Sequence, residues 1–380
     1  MRTATYIALL GAVGALAACH ADRAPSAVAN DDHAPVATPD GQISHVAPRV
    51  VRDGIALRVL DTIWLQESDS LYVAKPYGFA VSPSSGRIYV SDSFWGRVVR
   101  FDRSGVPDRI YGARGLGPGE IKSAGPVLLL PSRVGVADVG RSLINMYDEA
   151  TGRFQRAVSY RGVVTSSTAT GDTAWLGALD LVDSTGVAMW VAGADSVRHT
   201  VPVPPVYLQS QPLAGIFDGV EVAPTTDGLL VGFSGLDDLY VTDTEGRVEK
   251  IVAIPVRHRR GASVEMIQRL DGLEYPEMFS ALSALFALHR LRSGNLALVH
   301  FDQTMADNAI TARMFVSLLS SDLASACVDQ PVPVSQDAQP AVAFAGDTLL
   351  VLQQRVVGEG ARSFVQRLAI DEGSCFGGRN

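Results

Sequence analysis

Residues 76–120 read PYGFAVSPSSGRIYVSDSFWGRVVRFDRSGVPDRIYGARGLGPGE. Three short apolar runs, at 76–81, 87–92 and 97–102, are separated by turns rich in glycine, serine, proline and aspartate. Short apolar runs between such turns are typical of β-strands joined as successive hairpins. This stretch therefore predicts an antiparallel β-meander.

The same stretch resembles one NHL-type repeat, the unit of a family of six-bladed β-propellers. The matching residues are Gly78, Ala80, Val81, Gly86, Tyr89, Val90, Asp92, Arg97, Phe101, Asp102 and Gly105, followed by the linker 111–120. The sequence departs from the repeat pattern at Ser82 and at Trp95–Gly96. We interpret Asp92 as structural, because short polar side chains accept hydrogen bonds from backbone N–H groups of a neighbouring turn.

The rest of the chain repeats the meander less regularly. Apolar first strands recur near residues 78, 126, 167, 220, 286 and 341. Regular recurrence of one unit indicates a repeat architecture. We predict an all-β, six-bladed β-propeller of the NHL or TolB type over residues 49–380, with seven blades as the alternative. Ala56–Trp64 is predicted to complete the sixth blade, which would close the ring and remove an open sheet edge.

Residues 257–280 interrupt the rhythm of strands. Apolar residues at helical spacing follow Ser263, a good helix cap, so a short helical insertion is predicted on one face of the ring. The insertion starts with the basic tetrad Arg257, His258, Arg259 and Arg260. We predict the tetrad as a tentative anion-binding site, with a solvated loop as the alternative.

Residues 1–18 are predicted to be a lipoprotein signal peptide. A basic start at Arg2 precedes an apolar run that is too short to span a bilayer. The run ends in LAAC, which resembles the bacterial lipobox and implies cleavage before Cys19 and its modification with diacylglycerol and palmitate. An ordinary signal peptide is the alternative. The residue after the cysteine is His20 rather than aspartate, a pattern that favours the outer membrane.

Residues 19–48 are rich in alanine, proline, aspartate and serine and show no apolar periodicity. Such a composition predicts a flexible tether, with His33 and His45 in solvent. The net charge of the chain is −8, which argues against nucleic acid as a partner. The expected contacts are therefore the membrane, through the lipid anchor, and a protein or glycan of the envelope.

The chain has two cysteines besides Cys19. In an oxidising compartment Cys327 and Cys375 invite a disulfide. Two separately buried thiols are the alternative. No redox or zinc motif of the C-x-x-C type is present.

The sequence contains no H-E-x-x-H, G-x-S-x-G or P-loop motif, and no cofactor is predicted. His289, His300 and Asp302 lie near one another in sequence, but a metal site needs a third ligand in place and supporting hydrogen bonds. We therefore interpret the two histidines as structural. Ligands in the channel of a propeller come from several blades and leave no local motif.

Two functions remain after these exclusions. The first is a non-catalytic envelope lipoprotein that binds protein or glycan at the cell surface. The alternative, implied by the resemblance, is a metal-dependent lactonase- or lyase-type enzyme with its site in the central channel. Three or more convergent Asp, Glu, Asn or His side chains in the channel would favour the enzyme, since the fold alone does not determine function.

Overall fold

The computed structural model describes residues 43–376, with gaps at 69–70, 271, 307–308, 335–339 and 358–359. The predicted signal peptide, Cys19 and most of the predicted tether lie outside these residues. The chain first forms three strands that we call the N-terminal strap, β1 (Ser44–Val46), β2 (Arg49–Asp53) and β3 (Ala56–Trp64). Sheet pairing therefore starts before Arg49: His45 belongs to β1 instead of a flexible tether, and its side chain is exposed to solvent as predicted.

Six antiparallel meanders follow. Blade 1 contains β4–β7, at Pro76–Val81, Ile88–Asp92, Arg97–Phe101 and Pro107–Tyr111. Blade 2 contains β8–β11, at Ala124–Leu130, Arg133–Asp138, Leu143–Asp148 and Phe154–Ser159. Blade 3 contains β12–β15, at Val163–Thr170, Thr173–Asp180, Thr185–Val191 and Arg198–Pro202.

Blade 4 contains β16–β19, at Val220–Pro224, Gly228–Phe233, Asp238–Asp243 and Val248–Ala253. Blade 5 contains β20–β23, at Ala284–Arg290, Leu296–Ala306, Ala309–Leu319 and Ser325–Val332. Blade 6 contains β24–β26, at Ala341–Ala345, Thr348–Val357 and Gly360–Asp371, and takes β3 as its fourth strand.

The first strands of successive blades contact one another in order, and β24 contacts β4, so these inner strands form a closed ring around a central channel. The six-bladed propeller is confirmed, and the alternative of seven blades is wrong. The predicted closing strand is also confirmed, because β3 pairs antiparallel with β26 from Ala56 to Trp64. The other two strap strands pair in parallel with outer strands, β1 with β19 and β2 with β23.

The core consists of apolar layers between neighbouring blades rather than one centre. In blade 1, Phe79 and Val90 face blade 6 and pack in one cluster with its Leu350. Tyr89 and Val98 face the other way, into the layer shared with blade 2. All of β5 is buried, because both sides of a propeller blade are covered by neighbours. This explains why the strand sequences are continuously apolar.

The two faces of the disc differ in what they carry. One face of the disc holds the connections between blades and the turns between the second and third strands of each blade. Every inner strand starts at this face, which we call the connection face. Asp92 binds these elements together: its carboxylate accepts hydrogen bonds from the N–H groups of Ala74, Lys75 and Phe94, at 2.9, 3.2 and 3.1 Å. Asp138 does the same in blade 2. The structural role predicted for Asp92 is thus observed.

Two helical insertions lie on the connection face. Helices α1 (Pro205–Gln209) and α2 (Gln211–Ile216) precede blade 4, and α3 (Val264–Leu270) and α4 (Tyr275–Ala281) precede blade 5. The second pair is the predicted insertion, and Ser263 caps α3 by accepting a hydrogen bond from the N–H of Met266. Both pairs cover blade 4 through one buried cluster that includes Tyr207, Leu213, Phe217, Leu236, Leu270 and Leu282.

A disulfide joins Cys327 of β23 to Cys375 of the short C-terminal helix α5 (Gly373–Phe376), 48 residues apart in sequence. Of the two alternatives for these cysteines, the structure has the disulfide. The same helix holds the strap, because the guanidinium of Arg52 donates a hydrogen bond to the carbonyl of Ser374 and the N–H of Ala56 donates to its hydroxyl. The two ends of the described chain are therefore fastened to each other.

Candidate functional site

The mouth of the channel at the connection face contains an acidic pair and a phenol. Tyr77 is the second residue of β4 in blade 1, and Glu221 is the second residue of β16 in blade 4. Blades 1 and 4 lie opposite each other in a six-membered ring. Asp218 precedes β16, and the charges of Asp218 and Glu221 both act on the Tyr77 phenol. The Tyr77 phenol therefore lies within electrostatic range of both carboxyl groups.

Burial controls the protonation of this group. It raises the pKa of Asp218 to about 6 and holds the pKa of Glu221 well above its usual range. The pKa of Tyr77 is raised by burial first, and then by the two carboxylates. Neither carboxylate has a cationic partner among the described residues. The channel mouth is therefore a place where a proton is retained at higher pH than on an exposed carboxyl group.

The raised pKa of Asp218 predicts how the stability of the fold depends on pH. Asp218 binds its proton more tightly in the folded chain, so its contribution to stability is greatest below about pH 4 and is lost as pH rises through about 6. We expect Asp218→Asn to raise the free energy of unfolding at pH 7.5 by about 1–2 kcal/mol, a value reduced for partial exposure, and to have little effect at pH 4. Urea unfolding across this pH range measures the difference. The exposed Asp227, in the next turn, provides the control Asp227→Asn, and an equal gain in both variants would contradict the prediction.

In the part of the chain that the structure describes, acidic, histidine and cysteine side chains form no metal-ligating cluster. No three His, Cys, Asp or Glu side chains in these ranges are close enough together to hold a metal ion. The channel mouth offers two carboxyl groups and one phenol. These groups can bind a cationic or hydrogen-bonding ligand, or exchange a proton with it.

A second feature of the connection face lies on blade 1. We call the residues Tyr72, Phe94, Trp95, Arg97 and Arg114 the blade-1 surface. The rings of Phe94 and Trp95 meet edge to face with centres 5.0 Å apart, and Tyr72 meets Trp95 in the same way at 6.1 Å. Phe94 is 48% exposed and Tyr72 is 39% exposed. The aromatic group is thus available to solvent instead of filling the core.

The turn that carries Phe94 and Trp95 is rigid. Asp92 accepts hydrogen bonds from both of their N–H groups. Gly96 follows with φ of +57°, and a Cβ atom at this position would lie 2.2 Å from the carbonyl oxygen of Ile121. Only glycine satisfies both conditions. The local sequence therefore fixes the backbone from which the aromatic side chains project.

Two arginines support the aromatic rings. The guanidinium of Arg97 lies 5.7 Å from the ring centre of Trp95, and that of Arg114 lies 5.6 Å from the ring centre of Phe94. Each also donates to a carbonyl oxygen, Arg97 to Tyr72 and Arg114 to Phe94. Within the described ranges neither forms an ion pair with a carboxylate. The blade-1 surface is therefore positively charged on a chain whose net charge is −8.

Two donors of this surface have no acceptor among the described residues. They are the indole N–H of Trp95 and the Nε–H of Arg97, and both are buried. Buried donors in proteins are nearly always satisfied by protein, water or ligand. Because both atoms are buried, an outside ligand does not reach them in this conformation.

The predicted basic tetrad does not form one exposed cationic site. Arg259 is buried, pairs with Asp237 at 2.9 Å and donates to the carbonyl oxygen of Ser234. Its predicted exposure is wrong, because the helical insertion covers it against the turn between β17 and β18. Arg260 pairs with Asp302 at 2.6 Å.

The other two residues of the tetrad are exposed but already have contacts. Arg257 pairs with Asp53 of the strap at 2.8 Å. His258 stacks on Phe315 with ring centres 5.1 Å apart. Binding of a partner by Arg257 and His258 stays a prediction. Intramolecular ion pairs leave the tetrad with less free positive charge than its sequence indicates.

The two histidines considered as metal ligands have separate structural contacts. His289 stacks on Phe344 at 4.5 Å, and its Nε2 lies 3.0 Å from the carbonyl oxygen of Gly346. His300 is fully buried, stacks on Phe315 at 5.2 Å, and has a pKa lowered to about 3, chiefly by burial. Burial also lowers the pKa of His289. The imidazole of His289 contacts blade 6, whereas that of His300 stacks on a residue of its own blade, in agreement with the structural interpretation.

Comparisons with known proteins agree with this architecture. No family model matches the chain, and no curated protein matches it. A DUF4221 family member from Bacteroides vulgatus superposes with a TM-score of 0.60 at 12% identity, covering 84% of this chain and 99% of its own. A protein of Bacteroides fragilis, described as exported by prediction, superposes with a TM-score of 0.59 at 9% identity, covering 87% and 100%.

Identities this low show the fold and nothing about function. Fold and comparisons together define the chain as a six-bladed β-propeller protein. Among the residues described, no helix has the length and apolar character needed to cross a membrane.

Proposed function

We propose that this chain is a non-catalytic lipoprotein of the cell envelope, with an NHL-like propeller whose connection face binds a protein or glycan partner. The observation that carries the proposal is the blade-1 surface, where exposed aromatic rings and unpaired arginines lie together around one rigid turn. Aromatic residues and arginine dominate the energetics of known interfaces. Loops held by a rigid scaffold are also where binding residues are concentrated.

The direction of the strap supports this proposal. Strand β19 is the fourth strand of its blade, so it runs toward the connection face, and β1 runs parallel to it. The chain therefore enters the ring at the opposite face. A lipid on Cys19 would attach there, through a tether that spans roughly 30 Å if it is flexible. The blade-1 surface would then point away from the membrane.

Attachment through Cys19 is part of the proposal and rests on the LAAC motif. Two acyl signals at one residue give stable anchoring. The outer membrane is the proposed location, because His20 follows the modified cysteine. Incorporation of radiolabelled palmitate by the parent chain, and its absence from Cys19→Ala, tests the anchor separately from the binding function.

The binding function is tested with the purified propeller on beads and isolated envelopes of the bacterium that encodes it. We expect the parent to retain envelopes, and Phe94→Ala to retain them at least about tenfold more weakly, because an exposed aromatic ring at an interface contributes more than about 1.4 kcal/mol. Arg103→Gln is the matched control, since Arg103 is exposed in the same blade but lies in the turn between β6 and β7 on the opposite face. Equal retention by Phe94→Ala and the parent would contradict the proposal.

The second candidate function is the metal-dependent lactonase- or lyase-type enzyme. The observation that favours it is the convergence of Asp218, Glu221 and Tyr77 in the channel mouth. Carboxyl groups with raised pKa values are common in acid–base catalysis. The purified chain is expected not to hydrolyse aliphatic lactones. Turnover that a chelator abolishes and Glu221→Gln removes would replace the binding proposal with the enzyme.

A further inference from the structure

We infer that the ligand of the blade-1 surface is an acidic polysaccharide. This inference deepens the proposed binding function and rests on it. Two observations are used: the exposed aromatic rings and the unpaired positive charge beside them. Each restricts the chemistry of the ligand in a different way.

The aromatic rings indicate a ligand with flat apolar faces. Phe94 and Tyr72 each meet an edge or face of Trp95 nearly at right angles, so their own faces remain partly open to solvent. Beyond them Leu116, in the linker after blade 1, is 70% exposed. The C–H groups on one side of a pyranose ring present a flat apolar surface of similar size. Several open rings in a row suit a chain of such sugars.

The arginines indicate that the ligand is anionic. Arg97 and Arg114 hold full positive charges without a carboxylate partner among the described residues, and the exposed Lys75 on the same rim has none either. Other arginines of blades 1 and 2 pair with a carboxylate, as Arg100 does with Asp108 and Arg141 with Asp138. Three unpaired cations beside one aromatic group therefore complement a polymer of regularly spaced carboxylates. Their stacking on the rings fixes the guanidinium positions before binding.

The two features together favour a polysaccharide over an acidic protein segment. An acidic peptide complements the charges, but it does not offer a repeated flat apolar face to the exposed rings. A neutral glycan complements the rings, but it leaves three cations unpaired. Uronic-acid polymers carry both properties on each sugar unit.

The inference is tested by titrating the soluble propeller with polygalacturonate, dextran and poly-L-glutamate. We expect binding to polygalacturonate only. Phe94→Ala should weaken it about tenfold at any salt concentration. Arg114→Gln should weaken it mainly at low salt and reduce the salt dependence, because screening acts on the charge component. Arg103→Gln should bind as the parent does, and thermal melts confirm that each variant is folded.

Each of the remaining outcomes contradicts the inference and shows which part of it is wrong. Binding of poly-L-glutamate as tight as that of polygalacturonate would show that charge alone is recognised, as for an acidic protein. Binding of dextran would show that the ligand is a neutral glycan. No binding of any polymer, together with Phe94-dependent retention of envelopes, would remove this inference and leave the proposed function standing. Loss of both would remove both.

Discussion

Deletion of Ala56–Trp64 is expected to destabilise the whole ring and not only blade 6. These residues form β3, the outer strand that pairs with β26 along its length. Most of their side chains are exposed, so the loss comes from the hydrogen-bond ladder and from the open edge that remains, not from apolar burial. At about 0.5–1.5 kcal/mol per net hydrogen bond, the expected loss is on the order of 5 kcal/mol. This is a large share of the stability of a typical domain.

Thermal melting measures this effect, and a second deletion, of β1, serves as the control. Removal of Ser44–Val46 takes away β1, which only adds a fifth strand to the edge of blade 4. We expect this second deletion to lower the melting temperature far less, because blade 4 keeps its own four strands. If both deletions give the melting temperature of the parent, Ala56–Trp64 does not hold the ring closed.

Arg259→Ser is expected to lower the free energy of unfolding by about 3 kcal/mol. The buried guanidinium pairs with Asp237 and donates to the carbonyl oxygens of Ser234 and Leu236. Serine cannot reach these acceptors, so two buried carbonyl groups and one carboxylate lose their partner.

Arg257→Ser supplies the control for this prediction. Arg257 is two residues away, carries the same charge, and forms an ion pair with Asp53 in which both side chains are mostly exposed. Such pairs contribute little, so a change of less than about 0.5 kcal/mol is expected. Urea unfolding measures the change in the free energy of unfolding for both variants, which we expect to show the same dependence on urea concentration. Similar midpoints for the two variants would show that Arg259 is not a structural residue.

The propeller was predictable because its signals are local. The strands and turns of residues 76–120, and the cap at Ser263, each depend on neighbours in sequence. Helices α1 and α2 were missed because they are very short and contain Pro205 and Pro212, which interrupt any helical pattern. The parallel pairing of β1 with β19 joins residues 44–46 to 250–252 and has no local signal.

The candidate sites were less predictable than the fold. Tyr77 and Glu221 come from opposite blades, so only ring closure brings them together. The basic tetrad gave a clear charge signal, but its acidic partners are distant in sequence. The blade-1 surface did leave a signal, since Trp95–Gly96 is where the stretch departs from its repeat pattern. A bulky aromatic residue in a turn that needs only small polar residues indicated a use other than folding.

The N-terminal strap also determines how the protein bears a mechanical load. Strand β1 runs toward the connection face, and the chain reaches it from the opposite face. Tension on the chain ahead of Ser44 therefore pulls β1 along its own axis. The hydrogen bonds between β1 and β19 are then sheared together instead of being opened one at a time. The next strand to bear the force is β2, which pairs with β23. Its Arg52 is also hydrogen-bonded to the C-terminal helix α5, which the disulfide links to β23. The closing strand of the ring, β3, is the third element in this series, so the attachments of β1 and β2 would yield before the ring does when the chain is pulled from its N-terminal side.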